Sequence, residues 1–287
     1  MPELPEIEIV KRSLFKMINK AKIIDIKINN RNLRYKIPNK FSEQIIGETI
    51  LKISRRSKYL IFHFKNTILL AHFGMSGKLL IIRNYDNAIF KTSFYYETNV
   101  NNKHNHIYFK LNNGLVLVYN DIRRFGFFKF YPTNQLSQIE FLKKLGPEPF
   151  SNKFNTKYFQ EFIKNKKKSI KNLLMDQTFV SGLGNIYVNE SLFFSRITPT
   201  RGAISLNKKE IKNLILSIKK ILKLAISKGG SSIKNFQSTQ AKNGSFQEFF
   251  SVYNRENKKC SRISCKGKIK KIVISNRSSF YCNNCQI

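Results

Sequence analysis

Residues 260–287 read CSRISCKGKIKKIVISNRSSFYCNNCQI, and they hold all four cysteines of a 287-residue chain. The spacing is Cys260-x4-Cys265, then sixteen residues, then Cys282-x2-Cys285. Two close pairs of thiolates supply four soft ligands, a set that surrounds a structural zinc ion tetrahedrally and leaves no open position for catalysis. A dithiol redox pair is the other reading of such spacing. Confinement to one short segment suits a local metal site better than a disulfide framework. The intervening KGKIKKIVISNRSSFY has the composition of a β-hairpin with basic residues along it. The chain thus closes on a short hairpin that a metal would staple.

Upstream of that hairpin the apolar spacing is helical. Over Leu206 to Ser227, residues Leu214, Ile218, Ile221, Leu222 and Ala225 share one helix face. Before Pro132 the pattern changes. From Lys22 to about Tyr131, KIIDIKI alternates, YLIFHF and TILLAHF are apolar runs, and HIYFKLNNGLVLVY reads as a hairpin turning at Asn112, Asn113 and Gly114. LGPEPF and the polar residues after it mark a boundary. Two domains suit this length, each able to bury its own core, and no internal repeat is visible. The expected fold is α+β: a β domain over 1–133, a linker region over 134–152, a helical domain over 153–252 and the metal hairpin over 253–287.

Composition points to the partner. The formal charge is +35, from 52 lysines and arginines against 17 acids, and the pI is near 10.2. Lysine outnumbers arginine by 39 to 13 and tryptophan is absent, as AT-rich coding produces. That bias does not explain the shortage of acids, so an anionic polymer, nucleic acid, is the expected partner. It also makes each arginine informative, because a planar bidentate guanidinium is what lysine cannot replace. No apolar run reaches the roughly 18 residues of a membrane span, and no secretory signal core is present. A soluble, cytoplasmic, monomeric protein with no membrane partner is expected.

Against that charge, the opening MPELPEIEIV concentrates three glutamates, Glu3, Glu6 and Glu8. Pro5 suits a first helical turn, acids suit a helix's positive end, and Ile7, Val10, Leu14, Met17 and Ile18 follow helical spacing. Helix initiation leaves Pro2 unexplained. Methionine before a small residue is commonly trimmed, which would expose a secondary amine with a pKa near ~8, lowered further by the helix dipole. Such an amine attacks an anomeric carbon to give a cationic iminium, an electron sink for elimination. Glu3 beside it is a carboxyl able to deliver a proton. Amine and acid together form a covalent-catalysis pair.

PELPEIE, RRSKYL, HFGMSG, DIRRFG, LGPEP, GLGNIYVNES, GGSSIKNF and NRSSFYCNNCQ, in that order from residue 2 to 287, together resemble the bacterial formamidopyrimidine-DNA glycosylases. The resemblance implies an N-terminal β-sandwich with an N-terminal helix, then a helix-two-turn-helix domain ending in a zinc-finger hairpin. It implies a bifunctional repair enzyme that excises 8-oxoguanine and ring-opened purines from damaged double-stranded DNA, then cleaves the strand by β,δ-elimination. By the same resemblance Pro2 forms the Schiff base, Glu3 donates the proton, Lys58 is linked to β-elimination, and Arg277 to phosphate binding and δ-elimination. Zinc is held by Cys260, Cys265, Cys282 and Cys285.

A glycosylase must rotate its nucleotide out of the stack and fill the gap. The resemblance assigns that to Met75, Arg123 and Phe125, with Arg123 reading the opposite base. His72, His104, Lys166 and Lys171 read as cations on phosphate, with Asn185 as an amide contact; such contacts position without specifying. Residues Gly229 to Phe246 match the loop that closes over the extruded base. Departures are Ile122 where proline is common, Asn254 in place of a glycine, and NKKC where GEPC is usual. An endonuclease VIII type enzyme for oxidised pyrimidines is the nearest alternative, but it typically starts PEGPE and lacks the Met, Arg, Phe set. A non-catalytic zinc-ribbon protein would leave Pro2 and Glu3 unexplained.

Overall fold

The structure is a computed structural model, and it describes residues 2–83, 89–90, 102–231 and 246–287. The chain forms two compact units: Met1–Lys143 with Gly229–Gly244, and Lys144–Lys228 with Ser245–Ile287.

The first unit begins with helix α1 (Leu4–Ile18), where Pro5 occupies the first turn and Ile7, Val10, Leu14 and Ile18 are buried. Strands β1 (Ile23–Ile28), β2 (Lys52–Arg56), β3 (Tyr59–His63), β4 (Thr67–His72), β5 (Lys78–Arg83), β6 (Ile89–Phe90), β7 (Asn105–Leu111), β8 (Leu115–Asn120) and β9 (Phe127–Pro132) follow. They pair antiparallel in two sheets, ordered β1-β7-β8-β5-β6 and β2-β3-β4-β9. The sheets are the two layers of a β-sandwich. Ile26, Phe109 and Tyr119 of one sheet share a single core with Phe62, Leu69 and Phe128 of the other, and Val10 and Leu14 of α1 join it. The hairpin expected at Asn112 to Gly114 is β7–β8, with Gly114 at φ +77°. Residues Thr133–Gln138 form a 3-10 turn and α2 (Glu140–Lys143) follows. Ile139 and Phe141 there cover Ile61, Ile68 and Leu70 on the outer face of the second sheet, so this part of the expected linker is packed structure.

The second unit holds α3 (Thr156–Ile163), α4 (Ile170–Met175), α5 (Asn185–Phe194), α6 (Lys208–Ser227) and a hairpin of β10 (Ile269–Ile274) and β11 (Arg277–Cys282). Asn155 and Ser169 cap α3 and α4 through their side chains, and Asn207 with Glu210 forms a capping box on α6. The helix expected from Leu206 buries the expected face: Leu214, Ile218, Ile221, Leu222 and Ala225. In α5 every residue from Ile186 to Phe193 is buried, because this helix lies against α4, α6 and β11 at once. Gly146 of LGPEP is needed for close approach, since a Cβ there would sit 2.5 Å from the carbonyl oxygens of Thr178 and Phe179.

Candidate functional site

The three N-terminal glutamates do different work. Glu6 closes the head of α1: one of its oxygens, Oε2, accepts the Glu3 N–H at 2.9 Å, and Oε1 accepts the N–H and hydroxyl of Ser231, each at 3.0 Å. Glu8 accepts from Lys11 Nζ at 2.7 Å, Arg12 Nε at 2.9 Å and Arg55 Nε at 3.0 Å. Burial pushes its carboxyl up, but the hydrogen bonds from Lys11, Arg55 and Arg12 outweigh that and hold it below the usual carboxylate range. Glu6 and Glu8 therefore serve the fold. Glu3 and Pro2 are buried side by side at the helix's positive end, Glu3 with 4% of its surface exposed.

Arg55 carries the helix's anchorage onward. Its NH1 donates to the Ser57 carbonyl at 2.9 Å, fixing the tight β2–β3 turn in which Ser57 has φ +56°. Lys58 follows in that turn and is 6% exposed. Strand register then places it: Tyr59 pairs with His72, and His72 with Phe127. The ends of β3, β4 and β9 thus bring Lys58 beside His72 and beside the two loops that leave β4 and enter β9.

Those loops carry the expected wedge. Met75 and Phe125 are 46% and 43% exposed, and the Arg123 guanidinium lies 4.7 Å from the Phe125 ring centre. Both loops converge on Asp121, which sequence reasoning passed over although it opens DIRRFG. It is wholly buried, and its carboxylate accepts from Ser76, Tyr119, Arg123 and Gly126. The available signal was an acid placed directly after an apolar strand in an acid-poor chain. His104, half-buried in the 3-10 turn Asn102–His104, meets the same network, its carbonyl accepting the Asp121 N–H at 3.0 Å.

The expectation of a cation at His72 does not hold. The ring lies between Tyr59 and Phe127, with centroids 5.0 and 5.6 Å away, and Nδ1 accepts the Gly74 N–H at 3.1 Å. Burial first, then the charges of Lys58 and Arg34, push its pKa down to about 4. With Nδ1 accepting, the neutral ring carries its proton on Nε2. His72 is a neutral donor.

In the second unit Lys171 also departs from expectation. It is 1% exposed, and its Nζ donates to the Ser278 carbonyl at 3.0 Å and to Ser279 Oγ at 2.5 Å. A phosphate contact needs exposure, and this lysine instead anchors the zinc hairpin to α4. Burial, then the nearby Arg277, push its pKa down to about 8. Asn185, at the start of α5, reaches the same place, its Nδ2 donating to the Ser278 carbonyl at 2.9 Å. Arg277 is exposed just past the hairpin turn, where Ser275 and Asn276 both have positive φ, +46° and +58°. Lys166 lies apart from these on the exposed turn after α3, its Nζ 5.5 Å from the Phe162 ring centre. Glu190 was missed by sequence reasoning. It is fully buried and accepts the N–H groups of Ser251, Val252 and Tyr253, so it carries the chain into the zinc segment.

The sulfurs of Cys260, Cys265, Cys282 and Cys285 lie within 4.8 Å of one another, the group among the described residues suited to a metal ion. Cys260 and Cys285 are 3.8 Å apart, Cys265 and Cys282 3.5 Å. A tetrahedron with Zn–S bonds of ~2.3 Å has edges of about 3.8 Å, so the four thiols fit one zinc ion. Asn284 Nδ2 donates to Cys265 Sγ at 3.5 Å, an outer contact of the kind that orients a ligand. Two of the departures from the family pattern are explained by the backbone. Asn254 and Asn257 stand where glycines are usual, at φ +54° and +65°, and asparagine is the side chain that tolerates this region best. Of the expected closing loop, residues 232–245 lie outside the described residues.

Residues 1–128 match the formamidopyrimidine-DNA glycosylase N-terminal domain, 145–237 its H2TH domain, and 257–287 the zinc finger found in FPG and IleRS. The chain belongs to the formamidopyrimidine-DNA glycosylase family. It is 44% identical to the formamidopyrimidine-DNA glycosylase of Bartonella quintana over the whole of both chains. The Rickettsia massiliae enzyme of that name is 39% identical over all of this chain and 97% of its own. Among solved structures, a complex of Lactococcus lactis Fpg with DNA containing an abasic site superposes with a TM-score of 0.86, at 36% identity and 99% of each chain. The family fold, a β-sandwich followed by a helix-two-turn-helix domain and a zinc hairpin, is the one this chain adopts. Among the described residues, no helix is long and apolar enough to cross a membrane.

Proposed function

We propose that this chain, a DNA glycosylase and abasic-site lyase of base-excision repair acting on oxidised purines, works through Pro2 and Glu3 as nucleophile and acid. The observation that carries the assignment is their joint burial at the head of α1.

After removal of Met1, the Pro2 nitrogen forms a bond to C1′ of the damaged nucleotide while the C1′–base bond breaks. Glu3 supplies the proton taken up as the sugar opens or the base departs. The resulting iminium acidifies C2′–H, whose loss expels the 3′ phosphate, and a second elimination expels the 5′ phosphate. Lys58, in the turn tied to α1 through Arg55 and Glu8, moves protons in the first elimination. Arg277 binds the phosphate and assists the second. Cys260, Cys265, Cys282 and Cys285 hold one zinc ion, which supplies folding energy to the hairpin and no chemistry.

Residues 1–133 carry the reaction, and 153–252 with 253–287 grip the DNA, joined through 134–152. Met75, Arg123 and Phe125 fill the vacated stack. His72 donates from Nε2 to phosphate as a neutral group, with His104, Lys166 and Asn185 as further backbone contacts. The enzyme acts as a cytoplasmic monomer.

The test is Glu3→Gln, which keeps the shape and removes the proton. Excision of 8-oxoguanine opposite cytosine should fall by orders of magnitude, while preformed abasic DNA is still nicked and still cross-links to the N-terminal peptide on borohydride reduction. Equal loss of both activities, or trapping through a lysine alone, would overturn the assignment.

A further inference from the structure

The three wedge residues sit on two loops, Met75 between β4 and β5, Arg123 and Phe125 between β8 and β9. Each side chain is exposed and has no core to hold it, so its position depends on how the loops are fastened. Asp121 Oδ1 accepts the Ser76 hydroxyl at 2.5 Å and the Arg123 N–H at 3.2 Å, while Oδ2 accepts the Tyr119 hydroxyl and the Gly126 N–H, each at 2.9 Å. Ser76 Oγ also accepts the Arg123 N–H, at 3.0 Å. One carboxylate therefore bonds the residue next to Met75, the backbone of Arg123 and the residue after Phe125. The loops also interlock sterically: a Cβ on Gly74 would lie 2.5 Å from the Phe125 carbonyl carbon, and one on Gly126 would lie 1.8 Å from the Tyr119 hydroxyl.

We infer that Asp121 is the positioning residue that welds these two loops into one rigid wedge, so that extrusion of the nucleotide depends on a buried carboxylate that touches no DNA. The inference rests on the wedge reading given above. A buried charge this densely hydrogen-bonded persists only where every partner is supplied, and all four donors here belong to the wedge loops or the strand end feeding them. Arg123 N–H and Gly126 N–H are fixed donors that cannot reverse. Replacing the carboxylate by an amide would set N–H against one of them, and the loops would separate while the sandwich core below stays filled.

Asp121→Asn should lower single-turnover excision of 8-oxoguanine from duplex DNA by about 100-fold, the penalty that a displacement near 1 Å brings to a positioned group. It should flatten the preference for cytosine over adenine opposite the lesion and remove the early fluorescence rise of a 2-aminopurine stacked beside it. Borohydride trapping on single-stranded abasic DNA, which needs no extrusion, should stay within about 3-fold of wild type. Ser76→Ala, which removes one bond only, should move each readout the same way by less, and it carries the test if the Asn variant does not fold. Unchanged excision and opposite-base ratio in both variants, or equal loss on duplex and single-stranded substrates, would overturn the inference. Arg123→Ala and Phe125→Ala separate the two claims. If they leave extrusion intact, the wedge reading itself fails; if they abolish it and Asp121→Asn does not, only the role of Asp121 fails.

Discussion

Replacing Lys171 by methionine probes how the zinc hairpin is fastened to the helical unit. In the folded chain this lysine loses its proton near pH 8, against about 10.5 for a solvated lysine, because it is desolvated and faces Arg277. A base with a depressed folded-state pKa opposes folding while it is charged. Between pH 8 and 10.5 the unfolded chain holds more protons than the folded one, so stability rises with pH through that window. The stabilisation is fully present above 10.5 and lost as pH falls through 8. From pH 7 to 9.5 a pKa lowered from 10.5 to about 8 corresponds to about 2 kcal/mol. Lys171→Met removes this component, so the stability difference between variant and wild type should change by about 2 kcal/mol over that range, whatever its value at pH 7. Urea unfolding at matched pH measures the difference, and the Cε resonance that disappears in the variant should titrate about two pH units below the other lysines. Parallel stability curves, or a Lys171 resonance that titrates with the rest, would refute the reasoning.

Glu8→Gln should destabilise the first unit by about 2–3 kcal/mol, since Glu8 and Arg55 are each 11% exposed and the guanidinium would lose its charged partner. With its pKa held low in the fold, Glu8 stabilises above about pH 4.5, and this is lost on acidification, so the variant's deficit should vanish at low pH in urea titrations. Chelating zinc should abolish DNA binding and strip hydrogen-exchange protection from β10 and β11 while α5 and α6 keep theirs, because the hairpin's own core is small and the helices have a separate one. His72→Gln should leave the pH profile of excision between 5 and 8 unchanged, because a group titrating near 4 is neutral throughout; an NMR titration midpoint near 6.5 would contradict this.

Much of the architecture was legible because it rests on local periodicity. The Asn-Asn-Gly turn after Leu111 and the helical face from Leu214 to Ala225 are local patterns of this kind, whereas the alternation expected over Ile23–Ile28 is broken by a bulge between Ile23 and Asp25 that buries Ile23 and Ile26 and exposes Ile24. The cysteine spacing announced a zinc site because close ligand pairs need only local chain geometry, and Pro2 with Glu3 stood out because adjacent residues remain adjacent in any fold. What sequence could not supply was the charge state and allegiance of buried polar groups, which depend on neighbours distant in the chain. Lys171 and His72 both looked like phosphate-binding cations. One proved to be a clamp on a segment 107 residues away, the other a neutral ring enclosed by aromatic side chains. Glu6, Glu8 and Asp121 were likewise acids in a basic chain until the tertiary structure brought Ser231, Arg55 and Ser76 to them. A side chain's type specifies which bonds it can make; only packing decides which partners reach it and whether water is excluded, and those two conditions govern both its proton and its role.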